Sequence, residues 1–85
     1  VSLASQVYAR EFDAAFFKLP PRLRVAIERK IHHLGSRLDN YPHRHLAGRS
    51  EFRLRVGDYR VIYEFDRERN ILYLVTVGNR RDVYH

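Results

Sequence analysis

Three arginines crowd around one tight turn. In the stretch VGDYRVIYEFD, Val56 to Asp66, Gly57 and Asp58 read as a two-residue hairpin loop. Val56 then faces Tyr59, and Arg55 faces Arg60. Arg53 precedes Arg55 by two residues, so strand alternation places it on the same face. Like charges set directly opposite each other destabilise a sheet, and two guanidiniums repel unless an anion bridges them. A site built to hold a phosphate gives the arrangement a reason, because arginine's planar fork binds such groups through two parallel hydrogen bonds. The stretch GNRRDVYH adds Arg80 and Arg81 beyond the following strand. A plainer reading makes Arg53 and Arg55 the solvated half of an alternating strand. In that reading Glu51 and Glu64, opposed in the same register, offset the arginines through diagonal pairs.

The elements that must position these residues can be read along the chain. Phe12, Ala15, Phe16 and Leu19 recur at helical spacing and predict a short helix that ends before the LPP break. A second helix starts at about Pro21 and buries Leu23, Ile27, Ile31, Leu34 and Leu38. Val1 to Tyr8 alternates weakly, as an edge strand would. Asn40 to Ser50 carries Pro, Gly, Asn and Ser without a period and predicts a loop. Phe52, Leu54 and Val56, then Tyr59, Val61, Tyr63 and Phe65, predict two strands whose apolar sets share one face. DRERN makes the next turn, and ILYLVTVG, apolar at nearly every position, predicts a central strand covered on both sides. The expected fold is α+β, with two N-terminal helices packed on one face of a mainly antiparallel sheet of three to four strands. The other face is left open and rimmed by arginine.

The 85 residues predict one domain, 1–85, and 45% of them are hydrophobic, the composition of a folded chain. The formal charge is +6, and fourteen of the sixteen basic residues are arginine, which points to a polyanionic partner. Cysteine is absent, which removes disulfides and thiolate metal sites. No apolar run approaches the ~18 residues of a membrane span, and no signal peptide is recognisable, so the cytoplasm is the expected location. The histidines, at 32, 33, 43, 45 and 85, lack the close spacing of a zinc site, and no metal or cofactor is implied. AGRS lacks the full pattern of a phosphate-binding loop and reads as a turn.

The run LAGRSEFRLRVGDYRVIYEFD, followed by VTVGNRRDVYH, resembles the RelE/ParE superfamily of toxins from toxin-antitoxin systems. The likeness rests on the Leu-x-Gly loop, the arginine-bearing strand, the VGDYRVIY hairpin and a final VG strand running into Arg-Arg-x-Val-Tyr. In the branch resembling RelE, it implies a metal-independent endoribonuclease that cleaves messenger RNA in the ribosomal A site. Carried over by position, it implies Arg60, Arg80 and Tyr84 as catalytic residues and Arg53, Arg55 and Arg81 as RNA-binding ones. Cleavage by the RNA's own 2′-hydroxyl needs a proton removed, charge stabilised on the phosphorane and a proton delivered to the 5′-oxygen. Arg60 and Arg80 suit the charge, while Tyr84 suits a proton or a stacked base. Many relatives carry lysine where Arg53 and Arg55 stand and histidine where Asn79 stands. Arginine stays protonated and makes a poor general base. The implied partners are a small cognate antitoxin, forming a toxin-antitoxin hetero-oligomer, and messenger RNA on the ribosome. The ParE branch implies a competing function, a non-catalytic poison of DNA gyrase. A regulatory RNA-binding module is disfavoured because Tyr59, Tyr63 and Phe65, its candidate stacking platforms, fall on the buried face.

Overall fold

A computed structural model of the chain describes residues 3–46 and 48–81. In order, the elements are β1 (Ser5–Tyr8), α1 (Arg10–Phe16), α2 (Pro21–Ser36), β2 (Arg44–His45), β3 (Phe52–Val56), β4 (Tyr59–Asp66) and β5 (Ile71–Asn79). The strands form one sheet in the order β1-β5-β4-β3-β2. All neighbours are antiparallel except β1, which runs parallel to β5. The architecture is the expected α+β, with five strands rather than three to four.

The helical stripes follow the predicted spacing. Phe12 and Phe16 of α1, with Ile27, Ile31 and Leu34 of α2 and Leu38 just beyond it, are buried in one cluster with Leu54, Val56, Val61, Tyr63, Leu72, Leu74 and Val77 of the sheet. Pro21 occupies the first turn of α2, where its missing N–H leaves no partner unsatisfied. Both helices thus cover one sheet face, and the chain's arginine-bearing strand positions are left on the other.

Three sequence expectations need correction. The Asn40–Ser50 segment contains β2, whose two residues pair with Arg53 and Phe52. Two residues carry no periodicity to read. ILYLVTVG lies inside the sheet, but β4 holds the middle place, and Tyr73 of β5 is exposed, so β5 is not covered on both sides. Its apolar run comes from a register shift: Ile62 pairs with Thr76 while Tyr63 pairs with Leu74, which leaves Val75 as a bulge. The core positions therefore fall at Leu72, Leu74 and Val77, out of simple alternation. Finally, the ladder keeps the expected register but ends at the pair Phe52 and Tyr63, one pair short of Glu51 and Glu64, and Glu51 pairs with Arg49 instead.

The edge strand expected within Val1 to Tyr8 is β1, Ser5–Tyr8, while Val1 and Ser2 lie outside the described residues. The strand is held by backbone more than by burial. Ala4 N–H donates to Gly35 O at 3.0 Å, Ser5 N–H to Asn70 O at 3.0 Å and Ala9 N–H to Leu74 O at 2.9 Å, while Val7 and Tyr8 stay exposed.

Candidate functional site

The β3–β4 hairpin forms in the register read from its turn, with Val56 paired to Tyr59 and Arg55 to Arg60. Gly57 has φ +60, the left-handed conformation that glycine adopts freely at the first position of a type II′ turn. The turn fixes which side chains share a face. Arg53 and Arg55 are exposed on the face away from the helices. Together with Arg44, Arg60 and Arg80 they line a concavity of about 490 Å³.

Arg60 is not simply an open-face residue, because only 9% of its surface is accessible. Its Nη1 donates to the carbonyls of Gly57 at 3.0 Å and Tyr59 at 2.9 Å. Opposite it on β5 stands Gly78, which has no side chain to crowd it. Among the described residues Nη1 is the nitrogen of Arg60 that makes hydrogen bonds, and the side chain lines the concavity. The guanidinium is thus fixed at one edge and turned to the concavity at the other. Alternation along a strand reveals a face but not a depth, so this burial was not legible in the sequence.

Arg80 is placed by its backbone, whose N–H donates to Asp58 O at 3.0 Å and ties the end of β5 to the hairpin loop. Arg81 lies apart from the arginine concavity. It lines a neighbouring one of about 650 Å³ with Asp58, Tyr59, Asn79 and Arg80, and its N–H donates to Asn79 Oδ1 at 3.1 Å. Tyr84 lies outside the described residues.

Arg44 is the lining residue that the sequence reading missed. β2 sets it directly opposite Arg53. Among the described residues no carboxylate pairs with Arg44, Arg53, Arg55, Arg60 or Arg80, and Glu51 instead pairs with Arg49 at 3.3 Å. The diagonal compensation by glutamates does not form. Five arginines thus line one concavity with no paired carboxylate among the described residues, an arrangement suited to binding an anion.

His43 holds the segment that leads into β2. Its ring stacks on Phe65 with centroids 4.1 Å apart and tilts against Tyr63 at 5.7 Å. Nε2 lies 2.8 Å from Leu38 O, a pure acceptor, so Nε2 carries the proton. In the neutral ring Nδ1 then accepts from the Tyr63 hydroxyl at 2.6 Å. Burial, and to a lesser degree Tyr41, pushes the Tyr63 phenol well above its ordinary value, so it keeps the proton it donates. Among the described residues no group of three or more His, Asp or Glu side chains converges in a way that would hold a metal ion.

The family described as ParE toxin of type II toxin-antitoxin systems, parDE, matches residues 6–84. This chain belongs to that family. No curated protein sequence matches this ParE-family toxin. Its fold is similar to a chain of the RelBE2 toxin-antitoxin complex from Mycobacterium tuberculosis, at 22% identity and TM-score 0.80, covering 96% of this chain and 97% of that one. The isolated Escherichia coli RelE toxin matches at 15% identity and TM-score 0.76, covering 95% and 90%. The archaeal RelE-RelB complex from Pyrococcus horikoshii matches at 18% identity and TM-score 0.76, covering 96% and 100%. The toxin thus has the RelE fold and belongs to the RelE/ParE superfamily of type II toxins.

Proposed function

We propose that this toxin is a metal-independent endoribonuclease that cleaves messenger RNA in the ribosomal A site and so inhibits translation. The observation that carries the reading is the concavity lined by five arginines on the sheet face away from the helices, with no carboxylate paired to them among the described residues. A phosphodiester there meets the Arg60 guanidinium, which two carbonyls hold in place before it arrives, and preorganised charge is usually what stabilises a developing oxyanion most. Arg60 stabilises the phosphorane with the nitrogens that its carbonyl bonds leave free, and Arg80 does so from the end of β5. Arg53, Arg55 and Arg81 hold the RNA backbone, and Tyr84 handles a proton or stacks on a base.

Nothing in this set titrates as a base near neutral pH, since arginine stays charged and Asn79 replaces an imidazole. The ribosome supplies the missing contribution by holding the 2′-oxygen in line with the phosphate, an effect worth several kcal/mol. In the cytoplasm a small cognate antitoxin, acidic where it meets the arginines, wraps the domain and occludes them. The solved RelBE complexes that share the fold support such a partner.

The test incubates the purified toxin with one message, naked or on ribosomes with an empty A site, and maps ends by primer extension. Cleavage within A-site codons, much faster on the ribosome, is the expected result. Equal rates remove the ribosome from the mechanism. The match to the ParE family favours a second reading, a non-catalytic gyrase poison. Intact message in both samples, with gyrase trapped on DNA in treated cells, establishes that one instead.

A further inference from the structure

Arg44 belongs neither to the hairpin nor to the final strand, yet it completes the wall of the concavity. The ladder pairs Arg44 with Arg53, and Arg55 with Arg60. Two like-charge pairs therefore stand side by side. They are displaced by two residues along β3 and by one strand across the sheet, about 6.7 Å and about 4.8 Å. Long arginine stems adjust that separation to successive phosphates of an extended single strand. Each pair is destabilising when empty, and each is relieved by one anion between its guanidiniums.

The backbone beside Arg44 is not free to drift. Its neighbour His43 is bonded to Leu38 O and to the Tyr63 hydroxyl, and His45 lies against Phe52 with ring centroids 4.0 Å apart. The side chain of Arg44 is exposed, and no ion pair among the described residues occupies it. An exposed cation on an anchored backbone, opposite a second cation, has the makings of a phosphate ligand.

We infer that the concavity is a two-phosphate site. Arg44 and Arg53 grip one phosphodiester, while Arg55, Arg60 and Arg80 grip the adjacent one on the same strand. The inference rests on the RNA-cleaving function proposed above. It makes Arg44 a binding residue, one linkage away from the phosphate that is cut.

The experiment needs no cleavage. Two 2′-O-methyl probes, a dinucleotide with one internal phosphodiester and a trinucleotide with two, are titrated into the parent, Arg44→Ala and Arg44→Lys by NMR at several salt concentrations. The parent is expected to bind the trinucleotide about tenfold more tightly, with a salt slope steeper by ~0.7, the increment of one phosphate contact to a single strand. Arg44→Ala should reduce the preference to less than twofold, and Arg44→Lys should keep most of it. A parent that does not discriminate, or an Arg44→Ala variant that discriminates as the parent does, overturns the two-phosphate site and leaves the proposed function standing. A parent that binds neither probe also overturns the two-phosphate site, while the cleavage assay on ribosomes decides the proposed function separately.

Discussion

His43 lies 2.6 Å from the hydroxyl of Tyr63, so the loop carrying Arg44 is tied to a fully buried side chain of the middle strand. The bond joins the two sheet faces functionally, since one end sits in the core and the other sets the rim of the concavity. Replacing His43 by Phe keeps a ring against Phe65 but strands both Leu38 O and the Tyr63 hydroxyl. A loss of about 2–6 kcal/mol is expected, from two partners left unpaired at about 1–3 kcal/mol each. Adding Tyr63→Phe removes one stranded group and should recover part of the loss. Urea unfolding of the single and double variants checks this, and strict additivity would show that the two side chains are not coupled.

Arg60→Ala should affect both fold and function. It frees the carbonyls of Gly57 and Tyr59, while relieving the opposition with Arg55. Bonds to a charged donor contribute about 1.5–3 kcal/mol and the cross-strand repulsion about 0.2–1, so the variant is expected to be less stable than the parent. Cleavage on ribosomes should fall ~100-fold or more. Full cleavage by a folded Arg60→Ala protein would exclude Arg60 from the mechanism.

Because the arginine pairs repel when empty, simple anions should stabilise the fold. At a phosphate concentration ten times its Kd, the linkage amounts to about 1.4 kcal/mol. Thermal unfolding in phosphate, against chloride at matched ionic strength, should show a higher Tm for the parent and a smaller rise for an Arg53→Ala, Arg55→Ala double variant. Equal rises would assign the effect to general salt action.

Tyr63 gives a pH signature on the alkaline side. Its phenol is raised in the folded state, chiefly by burial, above the value of 10.0 that it has when unfolded. The unfolded chain therefore releases this proton first. Stability contributed by the neutral phenol is fully present below about pH 10 and falls as pH rises above it, by up to ~1.4 kcal/mol per pH unit. Tyr8, raised less by burial and by Glu28 and Asp13, adds a smaller decline of the same sign. Chemical denaturation between pH 8 and 11 should show the slope in the parent and a shallower one in Tyr63→Phe.

The hairpin register was legible in the sequence because a two-residue glycine turn leaves only one way to pair Arg55 with Arg60. The helical stripes were legible for the same kind of reason, a period repeated over several turns. What escaped had no period to carry it. β2 is two residues long, so Arg44 looked like any loop arginine. The bulge at Val75 turned a one-sided strand into an apparently two-sided one. The depth of Arg60 depends on Gly78 across the ladder and on two carbonyls of its own turn, partners that only the folded chain brings together.

The parallel pairing of β1 with β5 joins the element nearest the start of the described chain to the last strand of the sheet. Every other ladder in the sheet links strands that are neighbours in sequence. Sealing that edge therefore closes a loop containing both helices and the whole meander, the largest loop entropy in the fold. Contacts of such long range set the pace of folding. During synthesis Ser5–Tyr8 has no strand to pair with until Ile71–Asn79 has left the ribosome, and those same last residues bring Arg80 to the hairpin loop through Asp58. The edge and the arginine concavity are thus completed by one event, so a nascent chain short of β5 has neither a complete sheet nor an assembled site.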